Sequence, residues 1–486
     1  MKTKIALLVA CALLGWAENV RAVERGIYNI LDYGAVSDTT RLSTAAIQAA
    51  VDDCASHGGG TVWIPAGNYL SGTVQLRSFV NLHLDAGATL YASRNPKDFR
   101  NLARESGAAD NDEAEMLISA VRARDVSVSG TGTLHCRAVR TGFRRAAKTG
   151  PVTDSITGRE IANAIRYGAD YRSKFRKVPP CPGAISFTDC TNVHIRDIQV
   201  VESSFWSVHL QRCERVVVNG IYITSNRHNG VNSDGLDIDG CSHVMVSDCR
   251  IDTGDDALCL KTTRTNGQAQ PCRYITVTNC ILTSSSAALK IGTESHADFE
   301  HITVTNCVVD GANRGLNIIV RDGGCVRNVL FSNLTIRTVR KETFWWGNGD
   351  PVWFTIQKRG ERPTAGGIEN VVLDNIIAHG QSGIRLEGFS ERMKNIRLCN
   401  VQLFMEPEDA VDKRSRNGFL FHGIDGLSLV DCNVSWNREQ PEKTWESAYL
   451  FRKIDGLSLV RVNGEKAPGS TYEAFRYEEC RMRTDK

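Results

Sequence analysis

Short apolar β-type runs recur along the chain in one register. In each run, the first apolar position is followed five residues later by a second one, as with Val244 and Cys249 or Ile302 and Cys307. The first positions of the nine runs are Val193, Val216, Val244, Ile275, Ile302, Val329, Val371, Ile396 and Leu427. Steps of 23 to 31 residues, with one of 42, are typical of a solenoid whose coils stack like residues on like residues.

The composition of these runs predicts strands. Runs such as VMVSD and ITVTN are rich in β-branched residues and alternate apolar with polar or small residues. We therefore predict an all-β fold, a single-stranded right-handed parallel β-helix. Its open first end needs a cover. The segment Thr44–Ser56, with Ile47, Val51 and Cys54 near helical spacing ahead of Gly58, predicts an N-terminal capping helix.

The N-terminus predicts export. A basic start, an apolar run from Ile5 to Leu14 and the small-residue site Val20-Arg21-Ala22 indicate a signal peptide at 1–22 and a secreted or periplasmic protein. A lipoprotein cleavage box ending at Cys11 is the less favoured interpretation, because the apolar run continues beyond it. The rest, 23–486, is predicted to be one β-helix catalytic domain without a membrane span, and to be monomeric. Length alone would suggest about three domains, but stacked coils can grow without splitting.

A basic insertion at about 137–180 interrupts the repeat. Between Arg137 and Lys177 there are eleven lysines or arginines and three acidic residues, although the net charge of the whole chain is only +3. The insertion could form one wall of a cleft for an acidic polymer, or be a solvated loop. Nucleic acid is not predicted as a partner, because no binding module is recognisable.

The cysteines do not follow a disulfide or zinc pattern. Four of the sixteen stand at the second apolar position of a run, where other coils have Ile, Leu or Val: Cys249, Cys280, Cys307 and Cys432. We predict that these four are small buried apolar residues. Neither CxxC nor HExxH occurs, so no structural zinc site is predicted.

Two carboxylate clusters lie about one repeat apart. Asp234 follows Asn232-Ser233, and Asp255 and Asp256 follow Gly254, so Asp234 and Asp255 are 21 residues apart. Stacked strands are about 4.8 Å apart, so the three carboxyls should share one patch and raise one another's proton affinity. Glycoside hydrolysis needs such a pair of acid and base, although calcium would also suit the cluster. The other acidic residues nearby, Asp237, Asp239 and Asp252, are expected to serve turn and ladder hydrogen bonds.

The run NSDGLDIDGCSHVMVSDCRIDTGDDALCLKT resembles the active-site region of glycoside hydrolase family 28, the polygalacturonase and rhamnogalacturonan hydrolase family, whose patterns are Asn-Thr-Asp and Gly-Asp-Asp. Ser233 replaces the Thr. The resemblance extends from DYGAVSDTTRLSTAAIQAAV to roughly Gly360. It implies a parallel β-helix, inverting hydrolysis and no metal or other cofactor. It also implies that Asp255 is the general acid and that Asp234 and Asp256 hold and deprotonate the attacking water.

Two departures from that family concern the substrate. Its Gly-His-Gly is replaced by Ser286-Ala287-Ala288, and its Arg-Ile-Lys by Asn317-Ile318-Ile319. In the family these basic residues hold a galacturonate carboxylate on the leaving-group side. Their loss predicts an acidic plant-type polysaccharide or oligosaccharide whose leaving-group sugar is neutral, such as the rhamnose of rhamnogalacturonan.

Substitute substrate-binding residues are available nearby. Lys290, Arg314 and Arg321 could meet a uronate, and one of Trp345 and Trp346, by preference Trp346, could stack on a sugar. Lys290 stands among apolar neighbours, where only a cleft would accept its ammonium. Two alternatives stay open, a calcium-dependent β-helical polysaccharide lyase and a carbohydrate-binding β-helix without catalysis.

Overall fold

The computed structural model describes residues 26–110, 116–138, 183–227, 230, 232–341, 345, 347–359, 365–388 and 392–483. The predicted signal peptide, most of the predicted basic insertion and Trp346 lie outside the described residues. Two α-helices, α1 (Thr44–Ser56) and α2 (Leu102–Glu105), and two 3-10 helices, Ile30–Tyr33 and Pro96–Asp98, are described. No helix among these residues has the length and apolarity needed to cross a bilayer.

The strands of the first half are β1 (Ile27–Asn29), β2 (Gly60–Ile64), β3 (Gly67–Ser71), β4 (Val74–Gln75), β5 (Val80–Leu84), β6 (Ala88–Ala92), β7 (Met116–Val121), β8 (Arg124–Gly130), β9 (Thr133–His135), β10 (Gly183–Thr188), β11 (Thr191–Arg196), β12 (Gln199–Ser203), β13 (Val208–Gln211), β14 (Glu214–Asn219), β15 (Tyr222–Ser225), β16 (Leu236–Asp239), β17 (Ser242–Ser247) and β18 (Arg250–Thr253). Those of the second half are β19 (Leu258–Thr262), β20 (Cys272–Thr278), β21 (Ile281–Ser284), β22 (Ala287–Ser295), β23 (Phe299–Thr305), β24 (Val308–Ala312), β25 (Arg314–Val320), β26 (Cys325–Thr338), β27 (Asp350–Ile356), β28 (Gly367–Gly380), β29 (Ile384–Glu387), β30 (Met393–Met405), β31 (Phe419–Val430), β32 (Asn433–Trp436), β33 (Tyr449–Val460), β34 (Asn463–Gly464), β35 (Phe475–Glu478) and β36 (Arg481–Met482).

The strands form a right-handed parallel β-helix, as predicted. Each coil contributes one strand to each of three sheets, and each strand pairs in parallel with its equivalents in the neighbouring coils. The sheet that carries the site, called here the first sheet, contains β4, β7, β10, β13, β16, β19, β22, β25, β27, β29, β35 and the N-terminal parts of β31 and β33.

The predicted register is confirmed along its whole length. The nine first apolar positions are paired in sequence, from Val193 with Val216 to Ile396 with Leu427. All of these side chains are buried and fill the interior between the sheets. Because each coil buries its apolar face against the next, the buried apolar residues of the described ranges form one cluster along the axis.

Helix α1 occupies the predicted residues and buries Ile47, Val51 and Cys54 against the first coils. The four cysteines predicted to be core residues are buried, and every cysteine among the described residues is a free thiol. Two-residue alternation explains why the first sheet has two kinds of face: Leu236 and Ile238 point into the core, whereas Asp237 and Asp239 point to the other face.

Candidate active site

The three predicted carboxylates meet where two adjacent strands of the first sheet begin. Asp234 stands in the turn before β16, and Asp255 and Asp256 stand in the turn before β19. The backbone joins the two turns, because Gly235 N donates to the carbonyl oxygen of Asp256 at 2.9 Å. All three side chains are almost completely buried, with at most 4% of each residue exposed.

Asp256 is held as an anion. Its Oδ1 accepts hydrogen bonds from Ser286 Oγ at 2.8 Å and from Ala287 N at 3.1 Å, and its Oδ2 accepts one from Lys290 Nζ at 2.5 Å. Arg314 Nη2 lies 3.6 Å from Oδ1. Burial alone would raise the pKa of Asp256, but the Lys290 ammonium and the Arg314 guanidinium hold it below its ordinary value.

Asp255 is adjacent in sequence and is pushed the other way. Burial, followed by the charge of Asp256, raises the pKa of Asp255. Its Oδ2 accepts a hydrogen bond from Asn232 N at 2.8 Å, and its Oδ1 accepts one from Asp256 N at 3.0 Å. The backbone is fixed as well, because Ser284 Oγ donates to the Asp255 carbonyl at 2.6 Å. One carboxyl of the pair therefore favours its proton while the other favours ionisation.

Asp234 belongs to a second buried cluster centred on Lys261. The Lys261 ammonium lies 3.4 Å from Asp234 Oδ2, 3.4 Å from Asp237 Oδ1 and 3.5 Å from Glu294 Oε2. Burial, with the charge of Asp237, raises the pKa of Asp234 well above its usual range. Burial also opposes ionisation of Glu294, but Lys261 lowers the pKa of that carboxyl. The Lys261 ammonium thus supplies a positive charge to three carboxyl groups.

Asp237 differs from the expectation that it serves a ladder hydrogen bond. The residue is fully buried, and its Oδ1 lies 3.4 Å from the Lys261 ammonium, but neither carboxylate oxygen has a partner of good hydrogen-bond geometry among the described residues. Burial raises the pKa of Asp237 to about 6, although Lys261 and His209 oppose the rise. Asp239, by contrast, accepts a hydrogen bond from Thr263 N at 2.8 Å, as a ladder residue should.

Asp234 and Asp237 also form a candidate metal-ligand group with Cys259, because one possible ligand atom from each lies within 4.8 Å of the other two. The Lys261 ammonium lies against both carboxylates, and the Cys259 thiol donates to the Gly292 carbonyl at 3.1 Å. A lysine ammonium therefore already lies where a calcium ion would meet these carboxylates.

Two of the predicted substrate-binding residues reach the carboxylates. Lys290 and Arg314 both approach Asp256, and Arg314 also donates to Ser286 Oγ at 2.6 Å and to Asn317 Oδ1 at 2.7 Å. Arg321 lies just past the far end of β25, about 20 Å from Arg314 along the strand. It is buried, and its backbone N donates to Ser295 Oγ at 2.8 Å.

Lys261, Asp237 and Glu294 are site residues that were not predicted from the sequence. For Asp237 and Lys261 a signal was present, because β16 and β19 pair in parallel with Asp237 opposite Cys259 and Asp239 opposite Lys261. Side chains alternate between the two faces of a strand, so Asp237 and Lys261 are expected on the outer face, together with the acidic cluster.

Comparison with known proteins gives consistent matches. The sequence profile of the family described as Glycosyl hydrolases family 28 matches residues 54–404. The probable polygalacturonase of Vitis vinifera is 24% identical over 397 residues, which are 78% of this chain and 74% of that protein. The exo-poly-alpha-D-galacturonosidase of Dickeya chrysanthemi is 28% identical over 258 residues, 48% of this chain and 41% of that protein. The fold is similar to that of a hyperthermoactive exopolygalacturonase from Thermotoga maritima, with a TM-score of 0.65, 21% identity and coverage of 85% of this chain and 92% of that one.

Proposed function

The chain belongs to glycosyl hydrolases family 28 and is a glycoside hydrolase, and on that premise we propose that it cleaves a galacturonate-containing pectic polysaccharide by inverting acid/base hydrolysis. The observation that carries this proposal is the unlike surroundings of two adjacent carboxyls. Asp256 contacts the Lys290 ammonium and the Arg314 guanidinium, whereas Asp255 accepts hydrogen bonds from two backbone N–H groups, and the two pKa values shift in opposite directions. Environments that push two neighbouring pKa values apart are what acid and base roles require. The polygalacturonase names of the relatives in grapevine and Dickeya support the pectic substrate class.

Asp255, with its raised pKa, is the general acid that gives its proton to the glycosidic oxygen as the bond to the anomeric carbon breaks. A water held between Asp234 and Asp256 attacks that carbon from the opposite face and loses one proton to one of these two carboxyls. Asp256 is ionised and accepts hydrogen bonds at both oxygens, whereas Asp234 Oδ1 is buried and has no partner among the described residues. We therefore assign proton removal to the Asp256 anion, and placement of the water to Asp234, whose raised pKa opposes its ionisation.

The leaving-group sugar is proposed to be neutral, as the rhamnose of rhamnogalacturonan is. The Asn317 side chain forms its hydrogen bonds within the protein. Its Oδ1 accepts one from Arg314, and its Nδ2 donates one to the Trp353 carbonyl at 2.7 Å. Ile319 is apolar and 6% exposed. The Lys290 ammonium is neutralised by Asp256. None of Asn317, Ile319 and Lys290 therefore offers an unpaired cation to a uronate carboxylate.

Export also belongs to the proposal. The signal peptide at 1–22, with the single catalytic domain at 23–486 that follows from it, rests on the basic start, the apolar run and the small-residue site. A secreted or periplasmic location would bring the enzyme to a polysaccharide outside the cell. Mass determination of the mature protein recovered from its host would test this, with a new N-terminus at Val23 expected and retention of Met1 counting against it.

The activity test compares wild type, Asp255→Asn and the control Asp310→Asn on rhamnogalacturonan, polygalacturonate and xylogalacturonan. Asp310 lies on β24, outside the site, and its exposed carboxylate forms an ion pair with Arg337. Reducing ends, ultraviolet absorbance of unsaturated products and product anomer are followed. We expect reducing ends of inverted anomer on rhamnogalacturonan, no unsaturated product, loss of activity in Asp255→Asn and full activity in the control.

Each alternative gives a different result. Equal digestion of polygalacturonate and rhamnogalacturonan would refute the neutral leaving-group sugar but keep the hydrolase. Unsaturated products that disappear with chelator would identify a lyase. Retained binding without cleavage of any polymer would identify a carbohydrate-binding protein.

A further inference from the structure

We propose that Trp353 is a second sugar-binding position on the first sheet, three coils beyond the carboxylates, where its indole takes a pyranose ring of the same polysaccharide chain. This inference rests on the proposed function, because it supposes that a polysaccharide extends along the sheet from the reacting carboxyls. It assigns a binding role that is separate from the acid and base groups.

Strand register places Trp353 on the site's face of the sheet. Directly paired residues on successive strands form one outward row, which runs Cys259, Lys290, Asn317, Trp353 and Arg385. The residues on either side of Trp353 in β27 are buried in the core, so its side chain points the same way as that of Lys290. Three strand spacings put it about 14 Å from the coil that carries Cys259. A polymer that follows the axis from the carboxylates would pass over it.

The indole is held in place by charged neighbours. The Arg385 guanidinium lies 4.9 Å from the ring centroid, within cation–π range, and that of Arg314 lies 5.9 Å from it. Arg385 is itself fixed, because it donates to the two carboxylate oxygens of the fully buried Asp350 at 2.9 and 3.1 Å and to Glu387 at 3.2 Å. A ring fixed in this way loses little conformational freedom when a ligand binds.

The surface of Trp353 that a ligand can reach does not include the ring nitrogen. Trp353 Nε1 is buried, whereas the residue as a whole is not, so the accessible surface of the side chain is apolar ring surface. Trp353 is only half-buried, in contrast to Trp345, which is 4% exposed, so the former and not the latter offers ring surface to a ligand.

The chemistry favours recognition by the ring face and not by charge. The Arg385 donors already bind Asp350 and Glu387, and Arg314 already binds Ser286 and Asn317. A pyranose would lie with its C–H face against the accessible part of the indole. The position should therefore accept neutral and uronate sugars similarly, and should matter only for substrates long enough to reach it.

The test measures kcat/KM on a length series of oligosaccharides from the polymer that the wild-type enzyme cleaves, and on the polymer itself. The variants are Trp353→Ala and Trp353→Phe, with Trp63→Ala on β2 of another sheet as the control. We expect Trp353→Ala to lower kcat/KM about tenfold on long substrates and to leave the shortest cleaved substrate within about twofold. Trp353→Phe should recover part of the loss, and the control should show no length dependence.

A loss that is equal at all lengths would show a structural role for Trp353 and overturn the proposal, as would no loss at any length. If the wild type cleaves no polymer, the proposed function fails separately. Calorimetric titration with oligogalacturonides and rhamnogalacturonan oligosaccharides of increasing length then decides. Affinity that rises with length and falls in Trp353→Ala would uphold the binding position, and identical affinities in both proteins would overturn it.

Discussion

Replacement of the fully buried Asp237 by asparagine is expected to stabilise the fold at neutral pH. Burial raises the pKa of Asp237 from 3.8 to about 6, a value that already includes the attraction of Lys261. The difference corresponds to about 3 kcal/mol by which folding opposes ionisation of this one carboxyl. Asparagine resembles the protonated form and does not incur that penalty.

The pH dependence follows from the direction of the shift. Between about pH 4 and about pH 6 the folded chain keeps this proton while the unfolded chain releases it, so stability falls as pH rises through that window. Asp237→Asn should therefore equal the wild type near pH 4 and exceed it by up to about 3 kcal/mol above pH 6.

The assay is chemical denaturation of both proteins from about pH 4 to about pH 7.5, with unfolding free energies compared at each pH. Asp425→Asn is the control, because Asp425 is exposed on β31 and its loss should change stability by no more than about 0.5 kcal/mol. The attribution of the penalty to Asp237 is wrong if Asp237→Asn is less stable than the wild type at neutral pH. It is also wrong if the unfolding free energy of the variant falls between pH 4 and 6 as steeply as that of the wild type.

Three further outcomes are expected. Lys261→Met should destabilise the fold by about 3 to 5 kcal/mol at neutral pH, because it leaves buried carboxylates without their cation, and by less near pH 4, where they take up protons. A loss of unfolding free energy that is the same at all pH values in denaturation curves would contradict this. Lys290→Met removes the ammonium that lowers the pKa of Asp256, so the acid limb of the kcat/KM profile should move to higher pH, and an unmoved limb would show that Lys290 does not control it. Ile302→Ala should cost about 2 to 5 kcal/mol through a cavity in the central ladder, whereas a cost below about 1 kcal/mol would indicate that the coils close around it.

The fold could be predicted because its information is periodic. The interval between apolar positions, repeated nine times, fixes both the strand class and the residue pairs, and the pairs from Val193 to Leu427 are those observed. The capping helix was equally accessible, since the spacing of Ile47, Val51 and Cys54 does not depend on distant contacts.

The charge network of the site was less accessible. The contact of Lys261 with Asp237 follows from strand register and side-chain alternation, so it could have been predicted from the sequence. The contact with Glu294 did not follow in the same way, because the pairing of β19 with β22 shifts register after Leu260. A pattern of fixed period cannot locate such a shift, and it changes which side chains face one another.

A chain of asparagines runs along the outside of the coils at one turn. These residues adopt positive φ, and neighbours are joined by their side-chain amides, as Asn375 Nδ2 donates to Asn333 Oδ1 at 2.7 Å and Asn400 Nδ2 donates to Asn375 Oδ1 at 3.0 Å. Each amide is both donor and acceptor, so its hydrogen bonds form only when the coils on both sides lie at the regular spacing. A one-residue insertion within a strand would break this chain, turn the interior positions outward and carry the carboxylates away from each other. Viable length changes should consequently be confined to the loops or to whole coils, which makes the loops beside the first sheet the natural place to alter substrate range while the acid and base stay where they are.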